Sequence, residues 1–167
     1  MTIVLRVARV ADAEAIAALL DHYAATSTCL WRSAPYDLVE RRAWIAAANP
    51  ARPVVVAEVD GQFAGYASLS DFRRGDGYAG CAENSLYIRP DQHRRGLGRR
   101  LLADLIARAR AAGLHALVAA ISGDQPPSIA IHAALGFRQV GRLPALGRKW
   151  DRPLDLVLMQ RDLLESS

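Results

Sequence analysis

The sequence predicts an α/β (α+β) protein built on a mixed central sheet with helices on both faces. Three observations predict it. The elements read in the order β-α-α-β-β-β-α-β-α-β-β. Asp60-Gly61 between two apolar runs signals a hairpin, because a type I′ turn needs positive φ at both central residues. A strand near Leu86 then passes through a glycine-containing loop into an amphipathic helix and on to another strand, which is a β-α-β crossover.

The elements follow in order. Leu5 to Val10 reads as a strand. Asp12 can cap the helix that carries Ile16, Leu19, Leu20 and Tyr23 at helical spacing. Residues 26–35 form a loop, and Tyr36 to Ala48 returns to helix. Pro53 to Val59 and Phe63 to Leu69 are the hairpin strands. Asp71 to Gly77 is a polar loop, and Cys81 to Ile88 is the next strand. Leu97, Leu101, Leu102, Leu105, Ile106 and Ala109 form one apolar stripe, and Gly113 ends that helix. His115 to Ile121 is a strand. Pro126 or Pro127 opens a helix that Gly136 stops. Arg138 to Gly141 and Leu154 to Gln160 are the last strands.

A chain of 167 residues with 51% hydrophobic composition predicts one globular domain over residues 1–167. No apolar run reaches the length of a membrane span. The start, MTIVLRVARVADAEA, enters a strand pattern without a basic leader and apolar stretch, so no secretion signal is expected. Cys29 and Cys81 match no metal spacing, no metal site is expected, and the thiols fit a reducing, cytoplasmic setting. Of the 21 Lys and Arg residues one is lysine, Lys149, which leaves 20 arginines, and the net charge is +4. Most of these arginines read as solvated helix faces. Charge alone admits nucleic acid, but no basic tract is interleaved with stacking aromatics.

The stretch from Leu86 to Leu102, LYIRPDQHRRGLGRRLL, is the most informative. A helix start presents free N–H groups and the positive end of the dipole, which together favour a phosphate. Gly96 and Gly98 let the backbone approach a ligand. Arg94, Arg95, Arg99 and Arg100 add charge. The third glycine of a dinucleotide fingerprint is missing, and no Gly-Lys-Ser/Thr occurs. The stretch reads as a pyrophosphate site.

The residues His93 to Gly98 resemble the Gln/Arg-x-x-Gly-x-Gly/Ala acetyl-CoA motif of the GNAT superfamily of N-acetyltransferases, with His93 at its first place. Within it the chain is similar to the phosphinothricin and methionine sulfoximine (methionine sulfone) N-acetyltransferases. The similar segments are HYAATST from His22, Trp31, PYDLVERRAW from Pro35, VAEVDGQFAGY from Val56, Phe72-Arg73, ENSLYI from Glu83, SIAIHAALGF from Ser128 and LDLVLMQ from Leu154. The resemblance implies a mostly antiparallel sheet, acetyl-CoA as co-substrate, a small amino-acid-like amine as substrate and a homodimer.

From position alone Glu83 reads equally as a structural acid and as a proton acceptor. The resemblance implies that it is the catalytic base. His132, on a half-apolar helix, reads from position as a satisfied histidine; the resemblance implies an acid for the departing thiolate or a binding contact. The resemblance further implies cofactor contacts at Leu86, Tyr87 and Ile88, where pantetheine pairs like a strand, at Arg94, Arg95, Gly96, Leu97, Gly98 and Arg99 for the pyrophosphate, and at Gln125 and Ser128. For the substrate, Arg73 or Arg74 could take a carboxylate bidentately. Trp31 and Tyr78 are candidate walls, and Lys149, Trp150 and Asp155 come from the C-terminal segment, where Pro153 replaces a tryptophan common in the relatives. The expected mechanism is direct transfer in a ternary complex. Rival expectations are a GNAT enzyme for protein N-termini or aminoglycosides, a non-catalytic acetyl-CoA-binding module and a nucleic-acid binder.

Overall fold

In the computed structural model, which describes residues 1–164, seven strands form one sheet in the order β1-β2-β3-β4-β5-β7-β6. They are β1 (Ile3–Val7), β2 (Val54–Val59), β3 (Gln62–Asp71), β4 (Cys81–Ile88), β5 (Ala116–Ser122), β6 (Arg138–Lys149) and β7 (Arg152–Asp162). The helices are α1 (Ala13–Thr26), α2 (Leu38–Ala46), α3 (Leu97–Ala111) and α4 (Pro126–Ala134). Residues 165–167, the end of the expected domain, lie outside the described residues. No helix among the described residues is long and apolar enough to cross a membrane.

All neighbouring strands pair antiparallel except β4 and β5, which run parallel as the crossover through α3 requires. Helices cover both faces, as expected. The apolar stripe of α3 buries Leu101, Leu102, Leu105 and Ala109 against Val55, Ala67, Leu117 and Val157 on one face. On the other face Ile16 and Leu20 of α1 and Ile45 of α2 pack on Val54, Val56 and Tyr66. Burying one such aliphatic side chain contributes roughly 1.5–3 kcal/mol, so the sheet is clamped from both sides. The Asp60-Gly61 turn has positive φ at both residues, 50° and 79°, as the hairpin signal requires. Gly113 follows α3 at φ 76°.

Of the boundaries that differ from the sequence reading, three have a local physical cause. The first strand ends at Val7, not Val10, because the Asp12 carboxylate accepts the Arg9 N–H at 2.7 Å and folds Val10–Asp12 into a 3-10 turn. That carboxylate is therefore spent on Arg9 and on Arg6, and it makes no side-chain cap of α1. The second helix begins at Leu38, where the Asp37 side chain takes the Glu40 N–H at 2.9 Å. The largest difference is β6, which runs on from Gly141 to Lys149. Pro144 and the two glycines break the apolar pattern, but β6 is an edge strand, where proline is tolerated. The ladder absorbs them by register shifts, with Ala145 at φ 50°. Trp150 and Asp151, at φ 49° and 57°, close the β6–β7 hairpin.

Candidate active site

The site begins where β4 and β5 part. Their parallel pairing covers only Cys81, Ala82 and Glu83 opposite Ala116, Leu117 and Val118. Beyond Glu83 the two strands splay, leaving one edge of Asn84–Ile88 unpaired, while β5 stays paired to β7. A cavity of about 670 Å³ occupies the gap, with Asn84 to Ile88 on one wall and Ala119 to Ser122 on the other. It runs on to the start of α3, lined there by Gln92, His93, Arg94, Gly96, Leu97, Gly98 and Arg99. Gly96 stands before α3 at φ 76°, in the left-handed region that suits glycine. At Gly98 a Cβ would lie 3.3 Å from Ile131 Cδ1, so a small residue keeps α3 close to α4.

His93 ties this loop to the strand end. The Tyr23 hydroxyl donates to the Ile88 carbonyl and lies 2.8 Å from His93 Nε2. Burial pushes the Tyr23 phenol up to about 12, so it stays a donor at neutral pH. Gln125 and Ser128 line the same cavity. The Gln125 amide donates to Thr28 Oγ1 at 3.2 Å, which anchors the start of α4. Arg95 is the exception among the expected phosphate residues: it is exposed and reaches toward Met1 Sδ at 4.0 Å, away from the cavity.

A second cavity of about 380 Å³ lies on the α1–α2 face of the splay. It shares Cys29, Ser85, Tyr87, Ala120 and Ser122 with the first, so the two spaces adjoin. Glu83 lines it from β4. Desolvation pushes the Glu83 carboxyl above the usual range, with no hydrogen bond or charge offsetting it. Trp31 also lines it, with its indole Nε1 buried and unpartnered.

The cation of this cavity is Arg41, which the sequence reading did not single out. Its guanidinium lies 4.8 Å from the Tyr36 ring centre and 4.5 Å from that of Trp44. Its Nε is buried without a hydrogen-bond partner. Residues 41 and 44 share one helix face at i, i+3 spacing, which was the available signal.

The other expected substrate residues lie elsewhere. Arg73 and Arg74 are exposed in the turn after β3, with Arg73 against Phe72. Tyr78 is exposed and stacks edge-on with Phe72. Lys149 is buried, but its Nζ donates to the Ser27 and Leu30 carbonyls, each at 2.6 Å. It holds the loop that leads to Trp31. Trp150 is exposed beside Lys149, and Asp155 pairs with Arg142. Pro153 lies in the β6–β7 ladder opposite Arg148. His132 is fully buried, with Nδ1 2.8 Å from the Ser128 carbonyl and Nε2 2.8 Å from Asn84 Nδ2.

The model of the Acetyltransferase (GNAT) family matches residues 16–137. The chain belongs to the GNAT acetyltransferase family. It is 43% identical over 165 residues to the L-methionine sulfoximine/L-methionine sulfone acetyltransferase of Pseudomonas paraeruginosa, covering 98% of this chain and 96% of the relative. It is 41% identical to the phosphinothricin N-acetyltransferase of Alcaligenes faecalis over 95% of this chain and 81% of that one. The solved yncA acetyltransferase of Salmonella typhimurium, with its cofactor acetyl-CoA, superposes with a TM-score of 0.94 at 37% identity, over 100% of this chain and 97% of that one.

Proposed function

We propose that this GNAT enzyme acetylates the α-amino group of a small zwitterionic amino acid with an oxygen-rich side chain, such as methionine sulfoximine, methionine sulfone or phosphinothricin. The observation that carries this reading is the pair of unmatched charges in one small cavity. Glu83 has no counter-ion and Arg41 has no carboxylate partner among the described residues. A zwitterion supplies both, its ammonium toward Glu83 and its carboxylate toward Arg41. The unpartnered Trp31 N–H and the cavity's serines, Ser68, Ser70 and Ser85, add donors for side-chain oxygens. The names of the two curated relatives support this substrate class.

Acetyl-CoA supplies the activated acetyl thioester. The long cavity suits it: an unpaired strand edge fits the pantetheine amides, and the α3 start with Arg94 and Arg99 fits the pyrophosphate. The thioester end then meets the amine where the two cavities adjoin. Glu83 takes the proton from the substrate ammonium, directly or through a water, and burial, which raises its pKa, strengthens it as a base. The free N–H groups of the β4 edge are the donors available to the acetyl oxygen as charge develops there. Transfer is direct in a ternary complex: the amine nitrogen forms the amide bond as the C–S bond of the thioester breaks, and CoA leaves as a thiolate that takes up the second amine proton, directly or through a water.

The same reading includes a homodimer and a cytoplasmic setting. The outer strand β6 exposes Val140, Leu143 and Leu146, with Trp150 at its end, and such an edge suits pairing with a second copy. Cys29 and Cys81 are free thiols.

The test is thiol release from acetyl-CoA with a panel of amines: the three amino-acid analogues, methionine, the decarboxylated amine of methionine sulfone, an aminoglycoside and a short peptide. Release with the analogues and little with the decarboxylated amine is the expected result. Release with the peptide or aminoglycoside alone overturns the substrate class.

A further inference from the structure

The hydrogen bonds of His132 settle its tautomer. A carbonyl oxygen only accepts, so the 2.8 Å contact to the Ser128 carbonyl puts the proton on Nδ1. The ring is 2% exposed and forms no ion pair among the described residues; it also meets Asn84 and, edge-on at 5.0 Å, the Phe137 ring. Burial pushes its pKa below the usual imidazole range. Nε2 of this neutral ring therefore carries a lone pair, and it accepts from Asn84 Nδ2 at 2.8 Å. Neither nitrogen has a proton to give to a leaving group, because the one N–H is already committed to Ser128.

This bond also orients Asn84. With the amide NH2 turned to His132, the carboxamide oxygen must point the other way. Asn84 Oδ1 is buried and has no partner. A buried acceptor left unpaired costs roughly 1–3 kcal/mol, so a donor belongs there. Asn84 is the first β4 residue beyond the last β4–β5 pair, and it lines the long cavity but not the Glu83 cavity. The donor is therefore expected from the occupant of the long cavity. Acetyl-CoA brings amide N–H groups in its pantetheine arm.

We infer that His132 is a positioning residue, whose neutral ring holds the Asn84 carboxamide so that Oδ1 accepts an amide N–H of the pantetheine arm. This rests on the proposed use of the long cavity by acetyl-CoA. It differs from the acid role that the family resemblance implies for His132.

The test uses the full-length protein and three measurements. The first needs no substrate: the ring nitrogen resonances of His132 across pH 5 to 9. A neutral ring protonated at Nδ1 through neutral pH is expected; an Nε2–H tautomer, or a titration near pH 7, overturns the inference. The second is acetyl-CoA binding by calorimetry. Asn84→Ala and His132→Ala are expected to weaken binding about tenfold, the loss of one buried hydrogen bond. His132→Gln, whose carboxamide offers one donor and one acceptor as the neutral ring does, is expected to stay within about threefold. Unchanged binding in Asn84→Ala overturns the inference. The third is kcat at saturating acetyl-CoA. His132→Gln is expected to keep kcat within about threefold, whereas loss of a proton donor lowers it roughly 10²–10⁴-fold, and such a loss overturns the inference. Wild-type protein that binds no acetyl-CoA at all would instead sink the cofactor reading, a result these variants do not mimic.

Discussion

The Arg41 guanidinium lies 4.5 Å from the Trp44 ring centre, inside the cavity that also holds Glu83. The aromatic rings hold the cation in place without neutralising it. Arg41→Met should therefore raise KM for an amino-acid substrate about 10- to 100-fold, the scale of a hydrogen bond to a charged group in a desolvated pocket. kcat and the KM for acetyl-CoA should change little. Steady-state kinetics against methionine sulfone and its decarboxylated amine check it: equal damage to both substrates would mean that Arg41 does not meet the carboxylate.

Glu83→Gln should lower kcat roughly 10²–10⁴-fold, the usual contribution of a positioned base. Burial pushes the Glu83 pKa up, so the acidic limb of the wild-type rate profile should sit above the ordinary carboxylate range and vanish in the variant. The stability effect has a definite sign. A raised folded-state pKa means that Glu83 favours folding when protonated and loses that advantage as pH rises through the folded pKa. The variant should therefore match the wild type in thermal stability near pH 4 and exceed it near pH 8. A variant less stable at pH 8 than at pH 4, relative to wild type, would contradict a desolvated Glu83.

Much of the fold was legible because its signals are local. The α3 stripe, the Asp60-Gly61 turn and Gly113 each act within a few residues. The far half of β6 was not, since Pro144 and Gly147 read as breakers and only pairing with β7 overrides them. The same division holds at the site. Glu83 and the Gly96 loop sit on elements that the chain order fixes. Arg41 and Asn84 matter through partners far away in the chain: Arg41 of α2 lines one cavity with Glu83 of β4, and Asn84 of β4 meets His132 of α4. Arg73, Arg74 and Tyr78 lie near Glu83 in sequence and Lys149 lies in the C-terminal segment, and tertiary packing turns all four elsewhere.

Lys149 joins two parts of the chain that the sequence separates by more than a hundred residues. Its ammonium satisfies the Ser27 and Leu30 carbonyls. Lys149→Met removes two charge-assisted bonds and leaves both acceptors in a half-buried setting. A loss of about 2–4 kcal/mol is expected, which for a chain of this length lowers Tm by roughly 5–10 °C. Differential scanning calorimetry reads this directly. If Lys149 served the substrate carboxylate instead, KM would rise while Tm held.

Gly147 meets the Trp31 indole so closely that a Cβ would stand 2.2 Å from two ring carbons. The glycine in the β6 bulge is thus a packing requirement of the Glu83 cavity, since Trp31 lines it. Gly147→Ala must displace the indole or the strand, and overpacking of this kind costs about 1–3 kcal/mol. The expected readings are a Tm lower by roughly 3–10 °C and a KM for the amine raised about tenfold, with the acetyl-CoA KM unchanged. The contact itself is isolated by a double-mutant cycle with Trp31→Ala. Once the ring is gone the added methyl has nothing to strike, so Gly147→Ala should cost almost nothing further in that background. Additive losses in Tm would show that the glycine serves the β6 backbone and not the ring.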